Sequence, residues 1–379
     1  MSGEPGATEQ PKGVDALTLH PDVYASRSLG RAGNLTAVLD AHQKSNSEFW
    51  LGLKDRSVLV RPNIVDPEFP QGCSHPDALK SLLEKLVSSG VSKIDIGDLS
   101  AADYYDTHRQ TKPQDIYKDL VDSLSQRYPQ IEIALKDLRE LNQIPLIGEL
   151  SVIDTSSYAA LVNLALPKEH GQYYFSGGAK HLMGLVDPSK RREYFHPDLP
   201  EGAQLRVHND PVKSQQIRST ITETDPARAN VEYNAKLSAA AESDVDPLIM
   251  RSMATCIQAT VNHFARKGQP VLTVVDGHET LTGHEHHGVL KKTDFAAVGL
   301  NPVAVDISVA RHLGLLNQTG YLTNLAHLVR PVIRAGDLPE TPSRRLRRVA
   351  TNIQMFDDQS YGFGLGVVPD ETPSRWDPF

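Results

Sequence analysis

Two cysteines in 379 residues, Cys73 and Cys256, stand far apart and outside any CxxC pair. That scarcity excludes a disulfide framework, a zinc ribbon and a cysteine-ligated iron–sulfur cluster, and it agrees with a reducing compartment. The sequence also lacks any apolar run of about 18 residues, the length a membrane-crossing helix needs. Its opening, MSGEPGATEQPKG, has no basic-then-apolar export pattern, so a cytoplasmic location without membrane contact is expected. An excess of basic charge is missing too. With 39 Lys+Arg against 47 Asp+Glu the net charge is −8, and no global field draws in nucleic acid. The run Arg344, Arg345, Arg347 and Arg348 has no interleaved aromatics and reads as a solvated helix face. GxxxxGK[ST] and HExxH patterns are absent, which removes the signatures of a nucleotide hydrolase and of that class of zinc protease.

What is present is a hydrophobic complement of 39%, enough for one large α/β core. Residues 1–14 are polar and read as a disordered tail, 15–335 as the principal domain, and 336–379 as a segment wrapping its surface. Within the domain, Ser57–Val65 is a β-branched strand broken at Arg61-Pro62-Asn63. A helix follows His75-Pro76-Asp77, with Leu79, Leu82, Leu83 and Leu86 on one stripe and Gly90 closing it. Ser92–Gly97 completes a βαβ unit and places Asp98 at a strand's carboxyl end. Residues 112–129 form a second helix, Ile131–Leu135 a strand, and Leu161–Leu166 a further one. Residues 198–245 are polar and aperiodic and read as an excursion or lid. Met250 to Phe264 keeps helical spacing up to Gly268, Pro270–Val275 runs as a strand into Asp276-Gly277, and Phe295–Leu300 is extended. Pro302 then opens a helix at its first position. The fold class expected is α/β, a mainly parallel sheet flanked by helices.

Chemistry concentrates in LVNLALPKEHGQYYFSGGAKHLMGLVDPSKRREYFH, residues 161–196. Gly177 and Gly178 precede a short helical stretch carrying Lys180, and a helix start offers unpaired N–H groups to an anion. Arg191, Arg192 and His196 follow, and His170 and His181 flank the turn, so cation and imidazole stand together as an anion seat with a proton carrier. A second histidine-rich stretch, DGHETLTGHEHHG, holds His278, His284, His286 and His287 beside Glu279 and Glu285. Imidazole and carboxylate suit a divalent metal, and His284, His286 and His287 are its candidate ligands, although their spacing matches no established ligand set. Asp306 lies in the otherwise apolar VAVDISVARHLG; such a carboxylate must face solvent or be paired.

Taken in order, VRPNIV, SSGVSKIDIGDLS, the Leu161 segment, VLTVVDGHETLTGHEHHG and VGLNPVAVDISVARHLG resemble the domain of unknown function 362 family over roughly residues 57–315. The resemblance implies a fold and a set of recurrent polar positions, matched here by Arg61, Pro62, Asn63, Asp98, His170, Lys180, Asp276 and Asp306, but no general activity. Arg61 stands where lysine is commoner, and His181 where asparagine is usual. Many members carry ferredoxin-like cysteine motifs; this chain has none, which speaks against an iron–sulfur redox role.

The functional expectation is therefore an enzyme of specialised, antibiotic-type small-molecule metabolism acting on an anionic substrate without a cofactor. Its reaction would be elimination or intramolecular displacement of a sulfate- or phosphate-type leaving group, for example an amine closing a ring. Lys180, His170 and His181 are the catalytic candidates. Gly177, Gly178, Arg191, Arg192, His196, Arg61, Asn63, Asp98 and Asp276 are the anion- and substrate-binding ones. The alternatives are a metal-dependent enzyme or carrier using a divalent ion on the histidine loop, and a non-catalytic accessory subunit with a small protein partner.

Overall fold

In the computed structural model the described residues are 23–99, 113–170, 173–195, 211–222, 253–283, 288–315 and 365–367, together with single positions between 229 and 236 and between 321 and 325; for 192–195, 211–214 and 365–367 the description is of backbone alone. The expected tail 1–14, most of the excursion 198–245 and most of 336–379 lie outside them.

The β-branched and apolar segments assemble one ten-stranded sheet. Its strands are β1 (Val23–Arg27), β2 (Ser57–Pro62), β3 (Lys93–Ile96), β4 (Glu132–Leu135), β7 (Ala160–Ala165), β8 (Lys168–His170), β9 (Tyr174–Ser176), β10 (Val271–Thr282), β11 (Val289–Gly299) and β12 (Leu365–Val367), while β5 (Gln143–Ile147) and β6 (Leu150–Ile153) pair separately. The order is β12-β1-β11-β10-β7-β2-β3-β4. From β10 to β4 every pairing is parallel, whereas β1–β11 and β10–β11 are antiparallel. The chain is thus an α/β protein with a mainly parallel core sheet. Of residues 336–379 the described part, β12, adds a parallel strand to the β1 edge.

Alternation along each strand divides the interior into two apolar layers. Val58 and Val60 face one layer and Leu59 the other; Val162 and Leu161 divide likewise. The first layer is covered by α1 (Gly30–Ser45), α2 (Pro76–Ser88) and α3 (Lys118–Arg127), the second by α4 (Gly178–His181), α5 (Pro188–Phe195), a helix over residues 253–266, here α6, and α7 (Pro302–His312). Pro76 opens α2 behind His75, whose Nδ1 accepts the Asp77 amide at 3.1 Å. Asn301 caps α7 by accepting the Val303 and Ala304 amides at 3.0 and 3.2 Å.

Two boundaries differ from expectation for a physical reason. The strand ending at Asp276 continues to Thr282 because a β-bulge between Gly277 and Glu279 lets it pair onward with a β11 that begins at Val289. The stretch read as a glycine-bounded loop is therefore mostly a hairpin arm. Gly277 is required there, since a Cβ would lie 2.2 Å from the Phe295 ring. A cavity of about 550 Å³ lies at the amino end of the strands between Asn46, Phe49, Phe264, Gln269 and Leu300, away from the strand carboxyl ends that carry the polar residues.

Candidate functional site

Arg61, Asn163 and Thr273 stand in register across three parallel strands. Leu59, Leu161 and Val271, two residues earlier on the same face, are apolar, so this polar row must find its partners in what packs on it. That is the turn from Gly177 to His181. Asn163 Nδ2 donates to the Gly178 carbonyl at 2.8 Å, and Arg61 Nη2 donates to the His181 carbonyl at 3.0 Å. Gly178 sits directly on Thr273, where a Cβ would come within 2.2 Å of the threonine methyl. Gly178→Ala is accordingly expected to lose about 1–3 kcal/mol through overpacking, read from its urea midpoint; an unchanged midpoint would show that the turn yields freely.

The same turn corrects the expected anion seat. Asp306 Oδ1 accepts the Gly178 amide at 2.6 Å and Oδ2 the Ala179 amide at 2.8 Å. The N–H groups proposed for a ligand are already filled by a carboxylate from α7. Gly177 lies against the same group, with a Cβ position 2.5 Å from Oδ1. Asp306 is wholly buried, and of the two fates expected of it, solvent or pairing, it is paired, with backbone amides as its partners. Burial pushes its carboxyl up to about 7, with the amides of Ala179, Gly178 and Lys180 pulling the other way.

Beside that turn Arg61, Asp98 and His181 meet. Arg61 is fully buried and its Nε donates to Asp98 Oδ1 at 3.1 Å, with Nη2 on the same oxygen. Asp98 Oδ2 accepts the Ile64 amide at 3.1 Å. Burial alone would raise the Asp98 carboxyl, but the Arg61 guanidinium and His181 beside it hold it well below the usual carboxylate range. His181 Nε2 lies 3.5 Å from Asp98 Oδ2, and among the described residues neither buried ring nitrogen has a hydrogen-bond partner. Burial, then the neighbouring Arg61 charge, lowers its pKa to about 4, so the ring is neutral at physiological pH. Gly184 makes the close approach of Arg61 feasible, since a Cβ there would stand 2.3 Å from Nη2.

The remaining candidates separate into groups. Lys180 Nζ lies 5.4 Å above the Tyr173 ring, and His170 packs against that ring at 5.0 Å while its Nδ1 accepts the Tyr173 amide at 3.3 Å. Arg191 is buried and donates to the carbonyls of Leu99 and Val186 at 3.1 Å each, so it braces the chain between β3 and α5. Asn63 Oδ1, at the end of β2, is buried with no hydrogen-bond partner among the described residues. Asp276 projects to the opposite layer, where Arg31 Nε holds it at 2.9 Å and Arg31 Nη2 reaches Glu279 at 2.7 Å; it does not join the Arg61 group. The side chain of Arg192, and His196, His284, His286 and His287 entirely, lie outside the described residues. Among the described residues no group of three or more His, Cys, Asp or Glu side chains is placed to hold a metal ion.

Sequence reasoning passed over Lys168, Asn163 and Thr273. Lys168 is buried, its Nζ donates to the Gly72 carbonyl at 2.5 Å, and its charge acts on both His181 and Cys73. A polar residue inside the apolar run LVNLAL was the available signal for Asn163.

A pH dependence follows from His181. Its folded pKa is depressed, so the unfolded chain binds a proton first as pH falls. The stability it contributes is complete above about 6.5 and is lost as pH drops toward 4, roughly 3 kcal/mol in all. His181→Gln should flatten the fall in urea midpoint across that window; an unchanged slope would mean the ring is solvated.

The fold and this buried polar layer define an α/β protein whose charged residues gather at the carboxyl ends of its parallel strands, where sheets of this kind hold ligands. The chain matches the family described as Domain of unknown function (DUF362) over residues 58–311, and it belongs to that family. Among curated proteins, none matches it. Among the described residues no helix is long and apolar enough to cross a membrane.

Proposed function

We propose that the chain is an enzyme that transforms an anionic small molecule, with His181 as its proton carrier. The observation that carries this reading is a neutral, buried histidine whose ring nitrogens have no hydrogen-bond partner among the described residues and whose Nε2 lies 3.5 Å from an ionised Asp98 that Arg61 fixes in place. A purely structural imidazole in a core is normally hydrogen-bonded, because leaving its nitrogens dry and unpaired costs about 1–3 kcal/mol. Held neutral, the ring can accept a proton, and Asp98 stabilises the imidazolium that results.

Lys168, whose charge acts on His181, and Lys180, in the same short helix as His181, supply positive potential for an anionic group. The reaction best suited to them is elimination or intramolecular displacement of a sulfate- or phosphate-type leaving group, with fixed cations taking up the departing charge. An amine closing a ring is one concrete form, in specialised metabolism. Unlike the seat expected from sequence, this reading assigns no role to the Gly178 and Ala179 amides.

The test is release of inorganic sulfate or phosphate from a panel of small amino-substituted sulfate and phosphate esters, followed by ion chromatography. Wild type is expected to release the anion, and His181→Gln to lose about 10²- to 10⁴-fold in rate. No release from any ester, or full activity in the folded variant, would remove the proposal.

A further inference from the structure

We infer that a second acid–base site, built on His278 and Asp294, lies on the other layer of the sheet. His278 Nδ1 is 3.0 Å from Asp294 Oδ1. The His278 amide donates to Asp276 Oδ1 at 3.2 Å, and the bulge beside Gly277 turns this residue out of the regular ladder. The aspartate is fixed with equal care. Asn34 Nδ2 donates to its Oδ1 at 3.1 Å and to its carbonyl at 3.2 Å. Asn34 is itself fully buried and held by Ser26 Oγ, which donates to its Oδ1 at 3.0 Å.

The backbone around this pair is strained. Asp294 and Ser28 both adopt left-handed φ, +50° and +67°, which L residues other than glycine rarely do, and the Ser28 amide donates to the Asp294 carbonyl at 2.9 Å. Such residues persist where the surroundings over-determine them, typically at functional sites. A simple surface ion pair has no need of two facing left-handed residues and a buried asparagine to hold one carboxylate.

With Nδ1–H given to Asp294, the basic lone pair of His278 is on Nε2, and the ring is 21% exposed. Nε2 takes a proton from a bound O–H or N–H; the electron pair of that bond stays on the ligand, and the imidazolium keeps its Nδ1–H on Asp294. Arg31 pairs with Asp276 and Glu279, Lys292 stands opposite Glu279 on β11, and Asp294 pairs with His278, so three carboxylates meet two cations and the balance disfavours anions. Its ligand is a neutral or cationic proton donor, a hydroxyl or ammonium group. This dyad goes beyond the function proposed above and stands or falls apart from His181.

Carbethoxylation of the full chain by diethyl pyrocarbonate at pH 8, where free imidazoles are uncharged, reads the reactivity of each ring by peptide mass spectrometry. His75 is the internal standard: it is 42% exposed, twice as open as His278, and sits 3.7 Å from Asp77. His278 is expected to react about tenfold faster than His75 in wild type and at a comparable rate in Asp294→Asn, a change that tolerates left-handed φ. Nitrogen-15 NMR of wild type gives a readout that needs no variant, with the proton expected on Nδ1. Equal rates in wild type, an unchanged rate in Asp294→Asn, or the proton on Nε2 would overturn the dyad.

Discussion

Replacing Arg61 by methionine is expected to remove about 3–5 kcal/mol of folding stability, because it strands the Asp98 carboxylate in a dry interior. Whole domains are stable by only about 5–15 kcal/mol, so the effect would be visible as a large drop in urea midpoint or as failure to fold at 37 °C. Arg61 also donates to the His181 carbonyl at 3.0 Å and reaches Asn163 Oδ1 at 3.5 Å, so its loss frees the His181 turn as well. Removing the stranded charge should return part of the stability: Arg61→Met combined with Asp98→Asn is expected to lie above Arg61→Met alone by about 2 kcal/mol. Arg61→Lys keeps the charge but not the fork that grips one oxygen from two nitrogens, and should fall between wild type and Arg61→Met. A loss under about 1 kcal/mol for Arg61→Met would mean that Asp98 is hydrated and the buried ion pair is not a structural element.

Much of the sheet is legible in the sequence because its core strands are short, apolar and bounded by breakers. Ser57–Pro62, Lys93–Ile96 and Ala160–Ala165 fall within a few residues of the stretches read as extended, and α2 is marked at both ends by His75-Pro76 and Gly90. The first βα pair is harder. α1 buries Asn34 and His42 among its apolar residues, which blurs the stripe that marks an amphipathic helix. The hairpin of β10 and β11 is hidden for another reason, since a bulge at Gly277 and histidines between the arms imitate a loop.

The site is legible in its residue types and illegible in its pairings. Arg61, Asp98 and His181 were each visible as candidates, but their contact spans 37 residues from Arg61 to Asp98 and 120 from Arg61 to the His181 carbonyl, and no local rule reports it. Sequence reasoning gave Arg61 to a ligand, whereas tertiary structure gives it to Asp98. It also placed Gly178 at an anion seat and left Asp306 between solvent and an unnamed partner. Those are one problem: the acceptor at the turn is the Asp306 carboxyl itself, brought from 128 residues away.

Asp306→Ala is the sharpest probe of that arrangement. It leaves the Gly178 and Ala179 amides buried with no acceptor, at about 1–3 kcal/mol each, and opens space beneath Gly177. We expect a loss of several kcal/mol near pH 5, measured by urea unfolding. The loss should narrow as pH rises, and the sign follows from linkage: the folded carboxyl titrates at about 7 and the unfolded one near 3.8. Between those values the folded chain holds the proton more tightly, so wild type loses stability as pH climbs toward 7, while the alanine protein has no such group to ionise. Asp306→Asn discriminates further, because its amide oxygen can take one N–H while its NH₂ faces the other donor; it should be milder than alanine but still destabilised. If alanine instead matched wild type at every pH, water would have to be serving the two amides, and the turn would again be open to an anion.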